Sequence, residues 1–387
     1  MGRFGWGLVI ALGGPACGDD GDTPDPDAGA STADDTGPGG GSTSADSQAE
    51  SGTAGDPDGD SDESGGFVPA DCSEPCADDT ETAVALCYAC RCKNAMDGWL
   101  PTPEQLQCSQ AEELTVYTAD ISGENPQLVP LTEEAETCVN PALLTETCGV
   151  GSRFGQLQEG DVYVKWICRD PFDDGALFAD VGVIMHNVRN GASCWFDDID
   201  SVTGMDDIPN LDLMAGDEAN LQSYLEKFYF TDGETCTRDC HGADPFVYTP
   251  YFESIVWQTG AWVNGLHRRV TLDEELAPVE AFELLSPEVT VCTGCHRVGS
   301  TASCDFLAPD ALGLAKTAAH EPSVHDAMDP ASPNWWLAYW MPKPFPAVDT
   351  LEDWTGLFGA ARDRIVECCA DPGVSTPNCI WEPIANE

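Results

Sequence analysis

Cysteine is the residue type that most constrains this chain. Nineteen of the 387 residues are Cys, whereas only six are His. Disulfides persist in oxidising compartments, and a cytosolic enzyme rarely carries so many thiols. The composition therefore predicts an exported, disulfide-stapled protein. No apolar run approaches the length of a transmembrane helix, so none is expected.

The first 66 residues predict an export signal followed by a tether. Arg3 precedes a short apolar stretch at 4–12, and small residues lead to Cys17, which is the pattern of a signal peptide over 1–17. Residues 18–66 contain no Val, Ile, Leu, Met, aromatic, Lys or Arg residue. Such a segment cannot bury enough apolar surface to fold, which predicts a disordered acidic tether.

The charge balance excludes one class of partner and favours another. With 68 acidic and 16 basic residues, the formal net charge is −52. A chain this acidic does not bind nucleic acid through a basic surface. It favours a partner with a basic docking surface, which its field would steer during encounter.

Local patterns divide the remaining chain into two predicted parts. Residues 67–230 are predicted to form a disulfide-rich α+β domain, with strands at 161–168, 181–186 and 192–196 and an Asn-Gly hairpin turn between the last two. Helical spacing predicts a helix over 219–230, with Asp217 as its cap. A short helix is also predicted near 80–92. Residues 231–387 are predicted to be short helices and loops, with helices near 273–285, 309–320 and 354–369.

Two Cys-His motifs carry the chemistry. Cys292, Cys295 and His296 form a C-x-x-C-H motif, in which two thiols bond a haem covalently and the His ligates its iron. A similar motif lies earlier in the chain. Cys236, Cys240 and His241 form this first motif, and its one extra spacer residue rotates the Cys236 thiol by about 100° on an ideal helix. Attachment through Cys240 alone, or a disulfide between its two cysteines, remains open.

These motifs carry a resemblance to known proteins. CTGCHRVG (292–299) resembles the haem site of secreted class I-type cytochromes c. The segments at 182–196 and 236–252 resemble a group of secreted bacterial proteins with a Cys-His haem motif. Cys17 and the tether resemble myxobacterial-type lipoproteins, in which that Cys is acylated, although Gly14 stands where the usual motif has Leu; ordinary cleavage nearby is the alternative.

The resemblance implies axial ligands. For the second haem it implies Met341, which precedes Pro342, with Met328, His320 and His325 as rivals. For the haem of the first motif, His267 is the expected ligand because it is the only His or Met residue in the segment that follows, and His186 and Met185 compete with it. The neighbouring Arg268 and Arg269 would neutralise haem propionates.

The parity of the cysteines fits this reading. After Cys17 and the four cysteines of the two motifs are set aside, fourteen of the nineteen remain, enough for seven disulfides. A single haem also leaves an even number, so parity does not count the haems. Adjacent Cys368 and Cys369 should pair with different partners.

The sequence therefore predicts a loop-rich, disulfide-dense α+β protein with a small β-hairpin region. Its C-terminal half is expected to be mainly α-helical and cytochrome c-like. The leading function is an outer-membrane lipoprotein, periplasmic or cell-surface, that carries haem c and transfers electrons to a redox partner. The alternatives are a di-haem peroxidase-like oxidoreductase and a cofactor-free, disulfide-rich surface binding protein.

Overall fold

The structure is a computed structural model. It describes residues 67–293 except 123–126, 143–144, 146, 174, 198–201, 229–232, 234–235, 238–240, 248, 253, 256–266, 274–275 and 280, and then residues 303–304 and 351–383. From Val68 onward, these residues belong to one compact unit. The predicted signal peptide, tether and 309–320 helix lie outside the described residues.

Helices and strands alternate irregularly along the described chain. The α-helices are α1 (Glu81–Ala95), α2 (Pro103–Leu106), α3 (Glu218–Lys227), α4 (Thr290–Thr293) and α5 (Leu351–Cys368). The strands are β1 (Glu112–Glu113), β2 (Tyr117–Asp120), β3 (Gln127–Pro130), β4 (Arg153–Glu159), β5 (Val162–Phe172), β6 (Leu177–Asn187), β7 (Ala192–Asp197), β8 (Thr203–Gly204), β9 (Arg268–Arg269), β10 (Ala277–Pro278), β11 (Phe282–Leu284) and β12 (Trp381–Pro383). Single 3₁₀ turns occupy Pro75–Ala77, Cys108–Gln110, Leu213–Ala215, Pro250–Phe252 and Pro287–Val289.

An eight-stranded sheet forms the centre of the fold. Its strands lie in the order β1-β4-β5-β6-β7-β9-β10, and β8 pairs with the start of β6. Neighbouring strands are antiparallel except β7 and β9, which run parallel. The long strands β5 and β6 are rich in Val, Ile and aromatic residues, which suit a pleated surface that is buried on both sides.

One face of this sheet packs against helices and forms the main core. Val164, Val183 and Phe196 belong to this core together with Tyr88 of α1 and Tyr224 of α3. The Tyr88 and Phe196 ring centroids lie 5.6 Å apart. A disulfide between Cys92 of α1 and Cys194 of β7 crosses the same interface, so the helix is attached to the sheet by both packing and a covalent bond.

A second, smaller core lies in the C-terminal part. Leu284, Val289, Ile365 and Trp381 are buried together where α5 meets β11 and β12. The bonds Cys304–Cys369 and Cys368–Cys379 attach α5 to its surroundings. The two adjacent cysteines therefore pair with different partners, as predicted.

The predicted strands at 161–168, 181–186 and 192–196 are present as β5, β6 and β7. The last two form an antiparallel hairpin, and Gly191 at its turn has φ 77°. Helix α3 begins after Asp217, whose side chain accepts hydrogen bonds from the backbone N–H groups of Ala219 and Asn220. Thr80 caps α1 in the same way through Ala83.

The expected fold class is wrong in two respects. The β region is a large eight-stranded sheet, not a small hairpin region, and the helix predicted over 273–285 is replaced by the strands β10 and β11. Residues 231–387 are not mainly α-helical, since their described part includes the four strands β9 to β12, and β9 and β10 belong to the central sheet. Strands of two or three residues form only by pairing with distant partners, so no local pattern indicates them. The expected disulfide density is confirmed.

Candidate functional site

The second face of the central sheet carries an unusual set of side chains. Alternate residues of a strand point to opposite faces. The register pairs Tyr163 with His186, His186 with Ser193, and Lys165 with Ile184, whose partner on β7 is Trp195. We call this surface, defined by Tyr163, Lys165, His186 and Trp195, the histidine face. Met185, a rival ligand in the sequence analysis, points the other way and lies in the core against α1.

His241 of the first Cys-His motif packs on the histidine face. Its imidazole centroid lies 4.9 Å from the ring of Trp195 in a T-shaped arrangement. The motif contains an internal hydrogen bond, in which the backbone N–H of His241 donates to the carbonyl of Cys236 over 2.8 Å. The N–H and the hydroxyl of Thr237 both donate to the carbonyl of Gly233, at 2.8 and 2.7 Å.

The protonation state of His241 follows from its surroundings. Burial lowers the pKa of His241 to about 4, a hydrogen bond to the carbonyl of Pro245 opposes this shift, and the nearby cation Arg169 adds to it. The ring is therefore neutral at pH 7. Its Nδ1 lies 2.9 Å from the Pro245 oxygen, which can only accept, so Nδ1 holds the proton. The other nitrogen, Nε2, keeps its lone pair.

Two further histidines join this cluster. His267 is fully buried, and its ring centroid lies 6.1 Å from that of His186 and 6.4 Å from that of Trp195. Strand β9 holds it there, since the N–H of Arg268 donates to the carbonyl of Gly191 over 2.8 Å. Burial also lowers the pKa of His186 to about 4, while its Nδ1 lies 3.0 Å from the hydroxyl of Ser193. The structure thus brings together three histidines that lie far apart in sequence.

Two buried cations accompany the histidines. The Lys165 ammonium lies 5.1 Å from the ring centroid of Phe246 and 5.7 Å from that of Phe154, and burial lowers the pKa of Lys165 to about 7. Arg169 pairs with Asp180 on the neighbouring strand. Phe246 also makes an edge contact with His186, at 6.3 Å between centroids. Lys165, Arg169 and Trp195 were not identified from the sequence, although the alternation of β5 and β7 places them on the face of His186.

The second motif is described only in part. Cys292 lies on the short helix α4, is half-buried and packs against the C-terminal core. Its partners in the hypothesis, Cys295, His296 and Met341, lie outside the described residues, as do the rival ligands Met328, His320 and His325. The same holds for Cys240 of the first motif and for Cys17.

Seven disulfides account for every cysteine outside these sites. The bonds are Cys72–Cys90, Cys76–Cys87, Cys92–Cys194, Cys108–Cys168, Cys138–Cys148, Cys304–Cys369 and Cys368–Cys379. They use all fourteen cysteines other than Cys17 and the four in the Cys-His motifs. The cluster of cysteines at 87–92 is disulfide-bonded, as predicted. So many disulfides indicate an oxidising, extracytoplasmic environment.

No protein-family model, no curated protein and no solved structure matches this chain. Over the residues that the structure describes, no helix combines the length and apolar character of a membrane span. Within the same residues, no three His, Cys, Asp or Glu side chains stand close enough together to hold a metal ion between them.

Proposed function

We propose that this protein is an exported c-type cytochrome, which carries one or two covalent haems and passes electrons to a redox partner. The observation that carries the proposal is the state of His241. This residue ends a Cys-His motif, is held neutral by burial, and has its Nδ1 proton bonded to the Pro245 carbonyl. A histidine that ligates a metal needs this arrangement, because the second hydrogen bond fixes the tautomer and the ring orientation.

The donor set around His241 suits a haem. Cys236 and Cys240 would supply the thiols for covalent attachment, and Nε2 of His241 would ligate the iron. His267 remains the proposed ligand on the other side, with His186 as its rival on the same face, and both lie in the ring cluster of Trp195. A bound haem supplies a one-electron Fe(III)/Fe(II) couple. The surrounding side chains supply a dry environment, which tunes the reduction potential.

The second haem is proposed for Cys292 and Cys295, with His296 and Met341 as axial ligands. The motif itself supports this proposal, as does the disulfide pattern. The fourteen cysteines that the haem hypothesis leaves for pairing are the fourteen that form the seven disulfides. We propose two haems on this basis.

We also propose a location and a kind of partner. Acylation of Cys17 would anchor the chain to the outer membrane, and residues 18–66 would serve as the tether. The net charge of −52 favours a redox partner with a basic docking surface. The rate of electron transfer to a basic partner should then fall as ionic strength rises, since salt screens the attraction. A rate independent of salt would remove the steering proposal.

Haemochrome spectra of the full chain, produced with haem-maturation machinery, test the function. We expect two covalent haems in the wild type. The double variant Cys292→Ser/Cys295→Ser should lose one haem, and Cys236→Ser/Cys240→Ser should lose the other. The matched control is Cys138→Ser/Cys148→Ser, which removes two cysteines and one disulfide outside both motifs and should keep both haems. Wild-type protein without a Soret band would refute the proposal.

A further inference from the structure

Trp195 is enclosed by the groups of the first Cys-His site. Its indole ring lies 4.9 Å from the His241 imidazole and 6.4 Å from that of His267, measured between centroids. The side chain is only 3% exposed. Among the described residues, its indole N–H has no hydrogen-bond partner. The contacts that the structure shows for this ring within the site are its packing against His241 and His267.

The backbone at Gly233 lies against the indole of Trp195. A Cβ atom at position 233 would lie 2.1 Å from Cδ1 of Trp195, so any other residue would force the indole to move. Gly233 also has φ 75°, a left-handed conformation that disfavours other residues. Its carbonyl accepts both hydrogen bonds of Thr237, which ties this contact to the motif that carries His241.

We propose that Trp195 is a positioning residue that sets the orientation of the His241 imidazole. The inference rests on the proposed function in so far as His241 is a haem ligand. The Pro245 carbonyl accepts the hydrogen bond of Nδ1, and the indole of Trp195 packs against the imidazole ring. Gly233 in turn keeps the indole in place. Rotation of the imidazole then requires displacement of a large ring that has no room to move.

The opposite face of the sheet provides a matched control. A Cβ at Gly155 would lie 2.0 Å from Cε2 of Trp166, its cross-strand partner. Trp166 is also 3% exposed, and its indole N–H likewise has no partner among the described residues. Its ring belongs to the core against α1. Substitutions of this pair therefore cause the same steric or packing defect on the face away from His241.

The test compares Trp195→Phe and Gly233→Ala with Trp166→Phe and Gly155→Ala in the full, haem-loaded chain. We expect the first pair to shift the EPR g values and the midpoint potential of the haem at Cys236–His241, with the other haem unchanged. The control pair should lower the free energy of unfolding without moving either signal. If the haem is present in Trp195→Phe but its g values and midpoint potential are unchanged, the positioning role of Trp195 is refuted while the proposed function stands.

A second readout does not need the haem. In the haem-free full chain, the ¹⁵N chemical shifts of the His241 imidazole at a fixed neutral pH report its tautomer and the hydrogen bond from its Nδ1 to the Pro245 carbonyl. We expect Trp195→Phe to shift these signals, because the smaller ring leaves the imidazole room to turn away from that carbonyl. Trp166→Phe should leave them unchanged. Unaltered shifts in Trp195→Phe would contradict the positioning role, whether or not the proposed haem is found.

Discussion

The ion pair between Arg169 and Asp180 lies next to the candidate site and allows a quantitative test of its electrostatics. The two residues face each other on β5 and β6, and their side chains are only 16% and 12% exposed. Replacing Arg169 with Met removes the cation and leaves the Asp180 carboxylate in a low-dielectric environment. A buried charge that loses its partner destabilises a protein strongly, because no water replaces the lost interaction.

We expect Arg169→Met to lower the free energy of unfolding by about 3–5 kcal/mol. The double variant Arg169→Met/Asp180→Leu should recover much of this loss, since it removes the carboxylate that pairs directly with Arg169 and leaves only Asp197, whose charge also acts on Arg169. The control is Arg189→Met at the end of the same sheet. Arg189 pairs with Asp97, but these side chains are 61% and 35% exposed. Solvent screens such a pair, so its loss should cost less than about 1 kcal/mol.

Urea unfolding under oxidising conditions, with all disulfides intact, measures these differences. The m-value should stay constant across the series, so that the midpoint reports stability. Equal losses for Arg169→Met and Arg189→Met would refute the reasoning, as would a double variant no more stable than Arg169→Met. Arg169→Met should also raise the pKa of His241, because the charge of Arg169 helps to lower that pKa.

Two further predictions concern buried titratable groups in the haem-free chain. The pKa of His186 is lowered to about 4 by burial, so only the unfolded state takes up its proton between pH 6.5 and 4. The neutral His186 makes its full contribution to the free energy of unfolding above about pH 6.5, and this free energy falls by up to ~1.4 kcal/mol per pH unit below it. In urea unfolding, His186→Asn should lose less stability as the pH falls, and a slope identical to that of the wild type would contradict this. For Lys165, whose pKa burial lowers to about 7, Lys165→Met should raise the free energy of unfolding by roughly 1–4 kcal/mol below pH 7. That gain should vanish by about pH 10.5, where Lys is neutral in both states, and a gain that does not change with pH would rule out desolvation as its cause.

The parts of the fold that local chemistry determines could be predicted from sequence. β5, β6 and β7 carry the β-branched and aromatic residues typical of buried strands, and Asp217 is a recognisable helix cap. The parts that depend on distant pairing could not. β9 has two residues and exists only because it pairs with β7 and β10. β4 was not predicted because four of its seven residues are polar or charged, among them Gln156 and Gln158.

The candidate site shows the same division. The sequence identifies His241 and His267 as candidate ligands, but it does not show that both lie beside Trp195. The position of His267 depends on the parallel pairing of β9 with β7, which no local pattern encodes. Trp195 escaped attention because a Trp in a strand is usually a core residue. Cysteine parity predicted the number of disulfides in the two-haem case, whereas their connectivity required the fold.

Intact mass after reduction and alkylation tests the central claim most directly. The account predicts fourteen alkylated cysteines in the matured protein, two haems retained through thioether bonds, and an acylated N-terminal Cys17. Reduction breaks the seven disulfides but leaves thioethers intact, so the number of alkyl groups separates the two kinds of cysteine. A mass with no haem and with eighteen alkylated cysteines from Cys72 onward would contradict the account.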